Sequence, residues 1–264
     1  MKFLFLATSL LLLTFCLNAQ LRFVAHRGAS WYAPENSLGA IRLAWELGCD
    51  GAECDIQLTK DKQIVLCHDK NTERVTGQKL EIAQSKYADL KRLNLRLLPN
   101  NSAYFEEQSV PLLKEVLKAT PKGQLLVMEI KCGDEIFPEL QKIVKTYWKT
   151  GNIAFIAFNF KTICLAKSLF PDVPCYYLSS SKEDVLMKIP DIKKNKLDGV
   201  DLNSKIIDQQ LVDELQKANS EIWCWTVDDL DEALKMKNLG IKTITTNRPT
   251  WLREQLSVNG KPNK

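Results

Sequence analysis

The sequence predicts an α/β protein built as a single (β/α)8 barrel of the TIM type. Short apolar runs alternate with longer segments whose apolar residues recur with a helical period. Eight such pairs of strand and helix follow one another, which fits a closed barrel better than a doubly wound sheet. The length of 264 residues allows either one large barrel or two small domains, so the count of pairs decides between them.

The strands are predicted in order at Arg22 to Ala25, Gly51 to Leu58, Gln124 to Ile130, Ile153 to Phe158, Val173 to Leu178, Gly199 to Leu202, Glu221 to Val227 and Thr243 to Thr246. Each is a short apolar run bounded by polar or turn-forming residues. The helices are predicted at Ser37 to Leu47, Leu112 to Ala119, Glu135 to Lys149, Lys161 to Leu169, Lys182 to Asn195, Asp208 to Asn219, Leu230 to Leu239 and near Trp251.

The connection before the first helix reads Pro34-Glu35-Asn36-Ser37. Proline followed by asparagine and serine is typical of a turn that ends in a helix N-cap. We therefore expect Asn36 or Ser37 to cap the helix, and we interpret this segment as structural rather than catalytic.

The alternation breaks once, between Ile64 and Ser109. This stretch holds a second extended run that ends at His68, followed by a polar and aromatic segment. Long insertions in compact domains are usually functional, so we expect a small subdomain of about residues 70–109 inserted after the second strand. The barrel is then expected to span residues 20–256, with a frayed tail at 257–264.

The N-terminus has the pattern of a secretory signal peptide. Lys2 precedes an apolar run that ends in Asn18-Ala19-Gln20, so we expect residues 1–19 to be cleaved after Ala19 and the protein to be secreted or periplasmic. A membrane anchor would need about 20 apolar residues, and this run is shorter. The bulky Phe15 before Cys16 disfavours a lipoprotein processing site.

Charge and cysteine content exclude some classes of function. The net charge of +4 becomes +3 once Lys2 is removed, which is too small to indicate attraction to nucleic acid or to a membrane surface. Without Cys16, seven of the eight cysteines remain. They are scattered singly and form neither a disulfide framework nor a zinc motif. The sequence still allows one incidental disulfide.

Histidines and carboxylates at the strand ends are the candidate catalytic and metal-binding residues. The two histidines of the chain, His26 and His68, each end an apolar run. Alternation along a strand places Glu53 and Asp55 on one face, and Glu129 ends a later strand. In a barrel these strand ends converge on one rim, so the sequence predicts a site there.

Three carboxylates without thiolate or imidazole partners favour a hard divalent cation, Mg²⁺ or Ca²⁺, over zinc. Arg27 and Lys131 are expected to hold the phosphate oxygens of a substrate. The two histidines would then act as general acid and general base on opposite sides of a phosphodiester, although spacing does not say which is which. Trp223 and Trp225 are interpreted as barrel packing, with one indole free to line the mouth.

These motifs resemble those of the glycerophosphodiester phosphodiesterase family. The matching segments are His26-Arg27-Gly28, Pro34-Glu35-Asn36, Gly48-Cys49-Asp50 with Glu53-Cys54-Asp55, His68-Asp69, Arg74-Val75-Thr76-Gly77 and Glu129-Ile130-Lys131. The match spans the mature chain. It departs from the family pattern at Leu112 and Lys114, at Ala157, and at Asn247, where aspartate is common.

The resemblance implies hydrolysis of glycerophosphodiesters to glycerol 3-phosphate and an alcohol. It also implies a route in which the neighbouring glycerol hydroxyl attacks the phosphorus and gives a cyclic phosphate. It implies metal binding by Glu53, Asp55 and Glu129, and acid and base roles for His26 and His68. It also implies phosphate contacts by Arg27 and Lys131, and a substrate contact by Trp225. The expected partner is a small-molecule glycerophosphodiester, with neither nucleic acid nor stable membrane insertion; oligomeric state stays open.

Three alternatives remain open. A phospholipase D-like phosphodiesterase acting on lysolipid or sphingolipid is disfavoured because Ile64 to Ser109 lacks a long apolar run that would enter a bilayer. A binding protein without turnover would not need two proton carriers. A histidine-nucleophile phosphatase is disfavoured because Arg27 follows His26 instead of preceding it and because that mechanism has no use for a carboxylate-rich metal site.

Overall fold

The computed structural model describes residues 21–96, 107–148 and 152–259. Its strands are β1 (Arg22–Ala25), β2 (Gly51–Leu58), β3 (Ile64–Leu66), β4 (Asn94–Leu95), β5 (Gln108–Ser109), β6 (Leu125–Ile130), β7 (Asn152–Ala157), β8 (Cys175–Ser179), β9 (Gly199–Asn203), β10 (Glu221–Trp225) and β11 (Thr243–Thr246). Its α-helices are α1 (Leu38–Glu46), α2 (Glu73–Thr76), α3 (Tyr87–Leu90), α4 (Leu113–Ala119), α5 (Phe137–Tyr147), α6 (Phe160–Leu169), α7 (Lys182–Lys194), α8 (Gln209–Lys217), α9 (Leu230–Asn238) and α10 (Pro249–Asn259).

Eight of these strands form a closed parallel barrel. The hydrogen-bonded order is β1, β11, β10, β9, β8, β7, β6 and β2, and β2 pairs again with β1. Each barrel strand is followed along the chain by a helix, with the insertion placed between β2 and α4. The predicted (β/α)8 fold is therefore confirmed.

Alternation along the strands sorts the side chains into two layers. The barrel interior holds a small cluster that includes Val24, Val127, Ile156, Leu178 and Trp223. The intervening residues of the strands pack outward against the helices in a much larger cluster. Burial of this outer layer provides most of the apolar stabilisation, and it leaves the inner face of the strand ends free to carry polar groups.

The insertion begins as a hairpin on a barrel strand. β3 pairs antiparallel with β2, with Ile56 opposite Leu66. The chain therefore runs back along β2 and returns to the rim formed by the carboxyl ends of the barrel strands. The rest of the insertion has its own hydrophobic core, formed by Val65, Cys67, Val75, Ile82, Leu90, Leu93, Leu95, Val110 and Leu112. The short antiparallel pair of β4 and β5 closes it. The predicted position after the second barrel strand is confirmed.

Other expectations have mixed outcomes. Ser37 caps α1, since its side chain accepts a hydrogen bond from the Ala40 backbone N–H at 2.9 Å. Helix α10 continues to Asn259, so the first three residues of the predicted tail are helical. Residues 1–19, where the signal peptide is predicted, lie outside the described residues. All seven cysteines of the described ranges are free. Within the described part of the chain, no helix is long and apolar enough to cross a membrane.

Candidate active site

A cavity opens at the carboxyl ends of the barrel strands. Both histidines of the chain line it, together with charged residues from β1, β2 and β6 and mostly apolar residues from the other strands. The lining residues are His26, Arg27, Glu53, His68, Glu129, Ile156, Phe158, Leu178, Asp201, Trp225, Thr226 and Thr245. This is the rim at which (β/α)8 enzymes place their catalytic groups.

Three carboxylates meet beside the cavity because β2 and β6 are neighbours in the barrel. The parallel register places Asp55 next to Glu129, and Glu53 lies two residues earlier on the same inner face. One oxygen from each of Glu53, Asp55 and Glu129 lies within 4.8 Å of the others. Glu53 and Asp55 are only 2% and 1% exposed. The predicted cluster of three acids is therefore present as a set of side chains.

The loop after β1 folds tightly against this cluster. Arg27 has a φ of 56° and Gly28 a φ of 75°, so both lie in the left-handed region. Gly28 is required by space as well, because a Cβ there would lie 2.6 Å from the carbonyl carbon of Ala40. This turn directs the Arg27 backbone N–H at Glu53 Oε2 at 2.8 Å. The backbone therefore holds one oxygen of a metal-ligand candidate.

His26 is held by a hydrogen-bonded chain from the last barrel strands. Its Nδ1 lies 2.8 Å from Asn247 Oδ1, and Asn247 Nδ2 donates to Asp228 Oδ2 at 2.5 Å. The Asp228 carboxylate accepts, so the Asn247 amide must present its oxygen to His26. His26 Nδ1 is therefore the protonated nitrogen of the neutral ring, and Nε2 keeps a free lone pair.

Burial lowers the pKa of His26 to about 4, and the positive charge of Arg27 acts in the same direction. The hydrogen bond with Asn247 raises the pKa of His26 but is outweighed by burial and by Arg27. The imidazole is therefore uncharged near neutral pH, which is the state that can accept a proton.

His68 has a charged partner instead. It follows β3, and its Nδ1 lies 2.7 Å from Asp69 Oδ1. Arg74 of α2 donates from Nε to Asp69 Oδ2 at 2.6 Å and from both terminal nitrogens to the Glu35 carboxylate at 2.7 Å. A line of alternating charges thus ties the insertion to the loop after β1.

Glu35 and Asn36 lie in the site, contrary to the interpretation of their segment as a turn and cap alone. Glu35 is buried and also accepts from Arg27 at 2.9 Å. Burial by itself would raise the pKa of Glu35, but hydrogen bonds from Arg74 and the charge of Arg27 hold it below its ordinary value. Asn36 donates to Asp55 Oδ2 at 2.7 Å and accepts from the Asp55 backbone N–H at 2.9 Å, which fixes that carboxylate.

The charge balance of the acid cluster fits a cation. Burial raises the pKa of Glu53 well above its ordinary value, and the charges of Asp55 and Glu129 add to this effect. Burial, together with the charge of Asp55, raises the pKa of Glu129 to about 7. Glu53 Oε1 is buried without a hydrogen-bond partner among the described residues. Oxygen ligands that repel one another and leave one lone pair unused could hold a hard divalent cation.

The two predicted phosphate-binding cations are present and lie against the acids. Lys131 Nζ lies 2.7 Å from Glu129 Oε1 and 3.8 Å from Asp55 Oδ1. Arg27 Nε lies 3.6 Å from Asp55 Oδ2. Arg27 also lines the cavity, where its guanidinium can reach an anion that enters, whereas Lys131 contacts the acids and is not one of the lining residues.

The remaining wall is mainly aromatic and aliphatic. Trp225 faces the cavity and packs edge-on against Phe158 with ring centroids 5.5 Å apart. Trp223 is instead buried in the barrel, stacked on Tyr176 at 4.0 Å. Trp223 therefore packs inside the barrel and Trp225 lines the cavity, while a substrate contact by Trp225 stays a prediction. Asp201 is the one carboxyl on this side of the lining.

Sequence reasoning missed several polar residues of this site. Arg74 lies in a motif that carries the family resemblance, and Asn247 was noted as a departure from the common aspartate, yet neither was assigned a role. Asp69 follows His68 directly and could have been chosen as its partner. Asp228 and Asp201 carried no local signal.

The glycerophosphoryl diester phosphodiesterase family model matches residues 26–250 of the chain. A glycerophosphodiester phosphodiesterase of Caldanaerobacter subterraneus is 27% identical over 238 residues, which cover 87% of this chain and 95% of that protein. A human lysophospholipase D is 25% identical over 268 residues, which cover 88% of this chain and 85% of that protein.

Solved structures share the fold. A phosphodiesterase of Oleispira antarctica, solved in complex with the product sn-glycerol-3-phosphate, is similar with a TM-score of 0.80 at 24% identity, over 89% of this chain and 96% of that one. A glycerophosphodiester phosphodiesterase of Thermotoga maritima has a TM-score of 0.74 at 22% identity, over 89% of this chain and 98% of that one.

Proposed function

The chain belongs to the glycerophosphoryl diester phosphodiesterase family, and we propose that it hydrolyses glycerophosphodiesters to glycerol 3-phosphate and an alcohol, using a divalent cation and two histidines. The observation that carries this proposal is the position of His26 and His68. One comes from the barrel and the other from the insertion, and both line one cavity with Glu53 and Glu129. Two proton carriers beside an acid cluster suit cleavage of a phosphodiester.

Glu53, Asp55 and Glu129 would hold the cation, which is Mg²⁺ or Ca²⁺ by the chemistry of an all-oxygen donor set. When bound, it supplies Lewis-acid polarisation of a phosphoryl oxygen. The unpartnered Glu53 Oε1 and the mutual repulsion of the acids support this assignment.

His26 is the better general base of the two. Its ring is neutral, and the Asn247 oxygen occupies Nδ1–H, so Nε2 is free to take a proton. The nucleophile that loses this proton is a water molecule or the neighbouring glycerol hydroxyl. As its oxygen bonds to phosphorus, its proton moves to His26 Nε2. Attack by water gives glycerol 3-phosphate directly, whereas attack by the glycerol hydroxyl gives a cyclic phosphate, which a water molecule then opens to glycerol 3-phosphate.

His68 is the better general acid. Its Nδ1 lies against the Asp69 carboxylate, and Arg74 keeps that carboxylate in place, so a negative charge stands beside the ring that would donate a proton. As the bond from phosphorus to the alcohol oxygen breaks, the leaving alkoxide takes the proton from His68 Nε2. Arg27 and Lys131 supply positive charge for the phosphate oxygens through this step.

The proposal is tested by glycerol 3-phosphate release from glycerophosphocholine and glycerophosphoethanolamine, measured with the mature protein with and without a chelator. We expect release with Mg²⁺ or Ca²⁺, loss with the chelator, and loss in His26→Ala. Thermal unfolding of the variant controls for misfolding. Absence of release with Mg²⁺, Ca²⁺ and Mn²⁺ would refute the proposal.

Lysophosphatidylcholine belongs in the same assay because a human relative is named a lysophospholipase D. The product would then be lysophosphatidic acid instead of glycerol 3-phosphate. Release from the lysolipid alone would favour that activity, and binding without turnover of either substrate would favour a non-catalytic role.

We also propose that the protein is exported to the periplasm or the cell exterior. The charged start and the short apolar run before Ala19 support this. N-terminal sequencing of the protein recovered from its native host should begin at Gln20. A mature protein that still carries Met1 would contradict export by cleavage.

A further inference from the structure

Asp201 is the exception on the apolar side of the cavity. It lies on the inner face of β9, in register with Leu178 on one neighbouring strand and with Trp223 on the other. Its side chain lines the cavity together with Ile156, Leu178 and Trp225. It is not a member of the acid cluster formed by β2 and β6. Asp201 is therefore the carboxyl of a mainly apolar wall, to which Thr226 and Thr245 add the other polar side chains.

This carboxyl is buried and incompletely bonded. Asp201 is 1% exposed, and its Oδ1 has no hydrogen-bond partner among the described residues. Trp225 Nε1 donates to the backbone oxygen of Asp201 at 3.1 Å, which orients the indole and leaves the carboxyl unsatisfied. An unsatisfied buried polar group is costly and is usually kept for a reason.

The cavity has two chemically different sides. Arg27, His26 and His68 are on the charged side, beside Glu53 and Glu129, and this is where a phosphate belongs. The part of the substrate next to the phosphate must then lie along Leu178, Asp201 and Trp225. The glycerol unit offers that wall its carbon chain and a terminal hydroxyl, while its secondary hydroxyl stays next to the phosphate, and this matches a mainly apolar surface with one carboxyl.

We propose that Asp201 binds the free primary hydroxyl of the glycerol unit and thereby selects fully deacylated glycerophosphodiesters. The inference rests on the proposed function and names its substrate class more closely. A hydroxyl both donates and accepts, so it satisfies the carboxyl in either protonation state. An acyl chain on that hydroxyl removes the donor to the carbonyl oxygen of the carboxyl and adds bulk beside a side chain that is 1% exposed, and both effects disfavour lysolipids.

Depth in the cavity distinguishes the hydroxyl from the head group. Phe158, at the mouth, is 44% exposed, whereas Asp201 is 1% exposed. A bulky head group that leaves as product fits the open side near Phe158, and only a small group reaches Asp201. Burial also raises the pKa of Asp201 well above its ordinary value, and the charge of Glu129 adds to this effect. An uncharged carboxyl has little attraction for an ammonium head group.

The test compares glycerophosphocholine with its analogue that lacks the primary hydroxyl, the phosphocholine ester of propane-1,2-diol. Wild type, Asp201→Leu and Asp201→Asn are assayed on both substrates. We expect Asp201→Leu to lower kcat/KM for glycerophosphocholine by about 10-fold to 100-fold and to leave the analogue within about 3-fold. Asp201→Asn, which still hydrogen-bonds a hydroxyl, should keep most of the activity. Lysophosphatidylcholine should gain relative to glycerophosphocholine in Asp201→Leu.

Leu178→Ala is the matched control, because it alters the same wall in register with Asp201 without removing a polar group. It should affect both substrates equally. An equal loss on both substrates in Asp201→Leu would overturn the inference, because it would show a structural role. A loss confined to glycerophosphocholine and absent for glycerophosphoglycerol, whose head group is neutral, would also overturn it, because the carboxyl would then bind the head group.

Two further results keep the test decisive. If Asp201→Leu does not fold, the wild-type ratio between glycerophosphocholine and its deoxy analogue carries the test, and a ratio near one would overturn the inference. If wild type releases nothing from glycerophosphocholine, the proposed function itself has failed. The two failures are therefore distinguishable.

Discussion

His26 and His68 line one cavity, but different parts of the fold support them. His26 follows a barrel strand and bonds to the neutral amide of Asn247. His68 follows the insertion hairpin and bonds to the carboxylate of Asp69. The same side chain therefore has two kinds of partner, a neutral amide in the barrel and a carboxylate in the insertion. The proposed mechanism assigns opposite proton transfers to the two histidines, and this asymmetry of partners supports that assignment.

The two supports also differ in how firmly they are built. Asp228 anchors Asn247 and is itself held by the Thr246 hydroxyl and the Asn247 backbone N–H. Asp69 is a third exposed and depends on Arg74 from a helix of four residues. His68, the proposed general acid, is thus the histidine whose support depends on docking of the insertion.

The largest effect is expected from removing each histidine in turn. His26→Gln and His68→Gln should each lower kcat on glycerophosphocholine by about 10²-fold to 10⁴-fold, the usual contribution of general acid or base catalysis. Steady-state release of glycerol 3-phosphate measures this.

The leaving group separates the two roles. p-Nitrophenolate is a leaving group that needs no protonation. The kcat of His68→Gln on glycerol p-nitrophenyl phosphate should therefore lie within about 10-fold of the wild-type value. His26→Gln should stay impaired on that substrate. Recovery of His26→Gln instead of His68→Gln would exchange the assigned roles.

Cation binding tests whether the acids or the histidines are the ligands. A carboxyl must lose its proton to bind a cation, and the pKa of Glu129 is raised to about 7. Affinity for Mg²⁺ should therefore be lost as pH falls through that value, by at least about 10-fold per pH unit, because the raised pKa of Glu53 acts in the same direction.

Calorimetry at pH 6, 7 and 8 in two buffers of different ionisation enthalpy measures both the affinity and the proton released. His26→Gln should keep the pH dependence of Mg²⁺ affinity, because the His26 ring of the wild type is already neutral in this range. Glu129→Gln should weaken binding and flatten the dependence. An affinity independent of pH in wild type would contradict a carboxylate site with raised pKa values.

Arg74 tests the dependence of His68 on the insertion. Arg74→Lys keeps the charge, but the donors of an ammonium lie on one nitrogen, whereas the guanidinium uses three separate nitrogens to bridge Asp69 and Glu35. We expect kcat on glycerophosphocholine to fall about 5-fold to 20-fold, since Arg74 acts through Asp69 and not on the substrate.

The readout specific to positioning is the leaving group. If Arg74 positions His68 as the general acid, the loss of kcat in Arg74→Lys should be smaller on the p-nitrophenyl ester, as expected for His68→Gln. An equal loss on both esters would show that Arg74 stabilises the loop after β1 through Glu35 instead.

The barrel and its acids could be predicted because their signals are local. Alternation within β2 places Glu53 and Asp55 on the inner face and Cys54 on the outer one, and the structure shows this arrangement. Apolar runs that end in His26 and Glu129 mark strand ends, and a closed barrel brings all strand ends to one rim. The alternation of side chains along a strand and the closure of the barrel are enough to predict these positions.

The supports of the histidines could not be derived in this way. Asn247 meets His26 only because β11 pairs with β1, 221 residues away along the chain. The contact between Arg74 and Glu35 depends on how the insertion docks on the rim. Asp201 is preceded by valine in a short apolar strand, and its isolation is visible only once the residues of neighbouring strands surround it. Contacts between separate βα units are set by packing and leave no pattern in the sequence.

The smallest expected effect comes from making His26 resemble His68. Asn247→Asp places a carboxylate at His26 Nδ1, and it is best combined with Asp228→Asn so that two carboxylates do not face each other. The new charge should raise the pKa of His26 from about 4 toward its ordinary value. A base is inactive when protonated, so the acid limb of kcat/KM should move to higher pH by about one unit, with kcat at pH 8 within about 3-fold of wild type.

Titration of the ring by NMR in the same double variant, assigned with His26→Gln, should show the rise directly. Asp228→Asn alone is the control and should move the limb less, because the group at His26 stays a neutral amide. A limb that stays in place while the ring titration moves would mean that His26 is not the base, and the asymmetry between the two histidines would then serve orientation and not proton transfer.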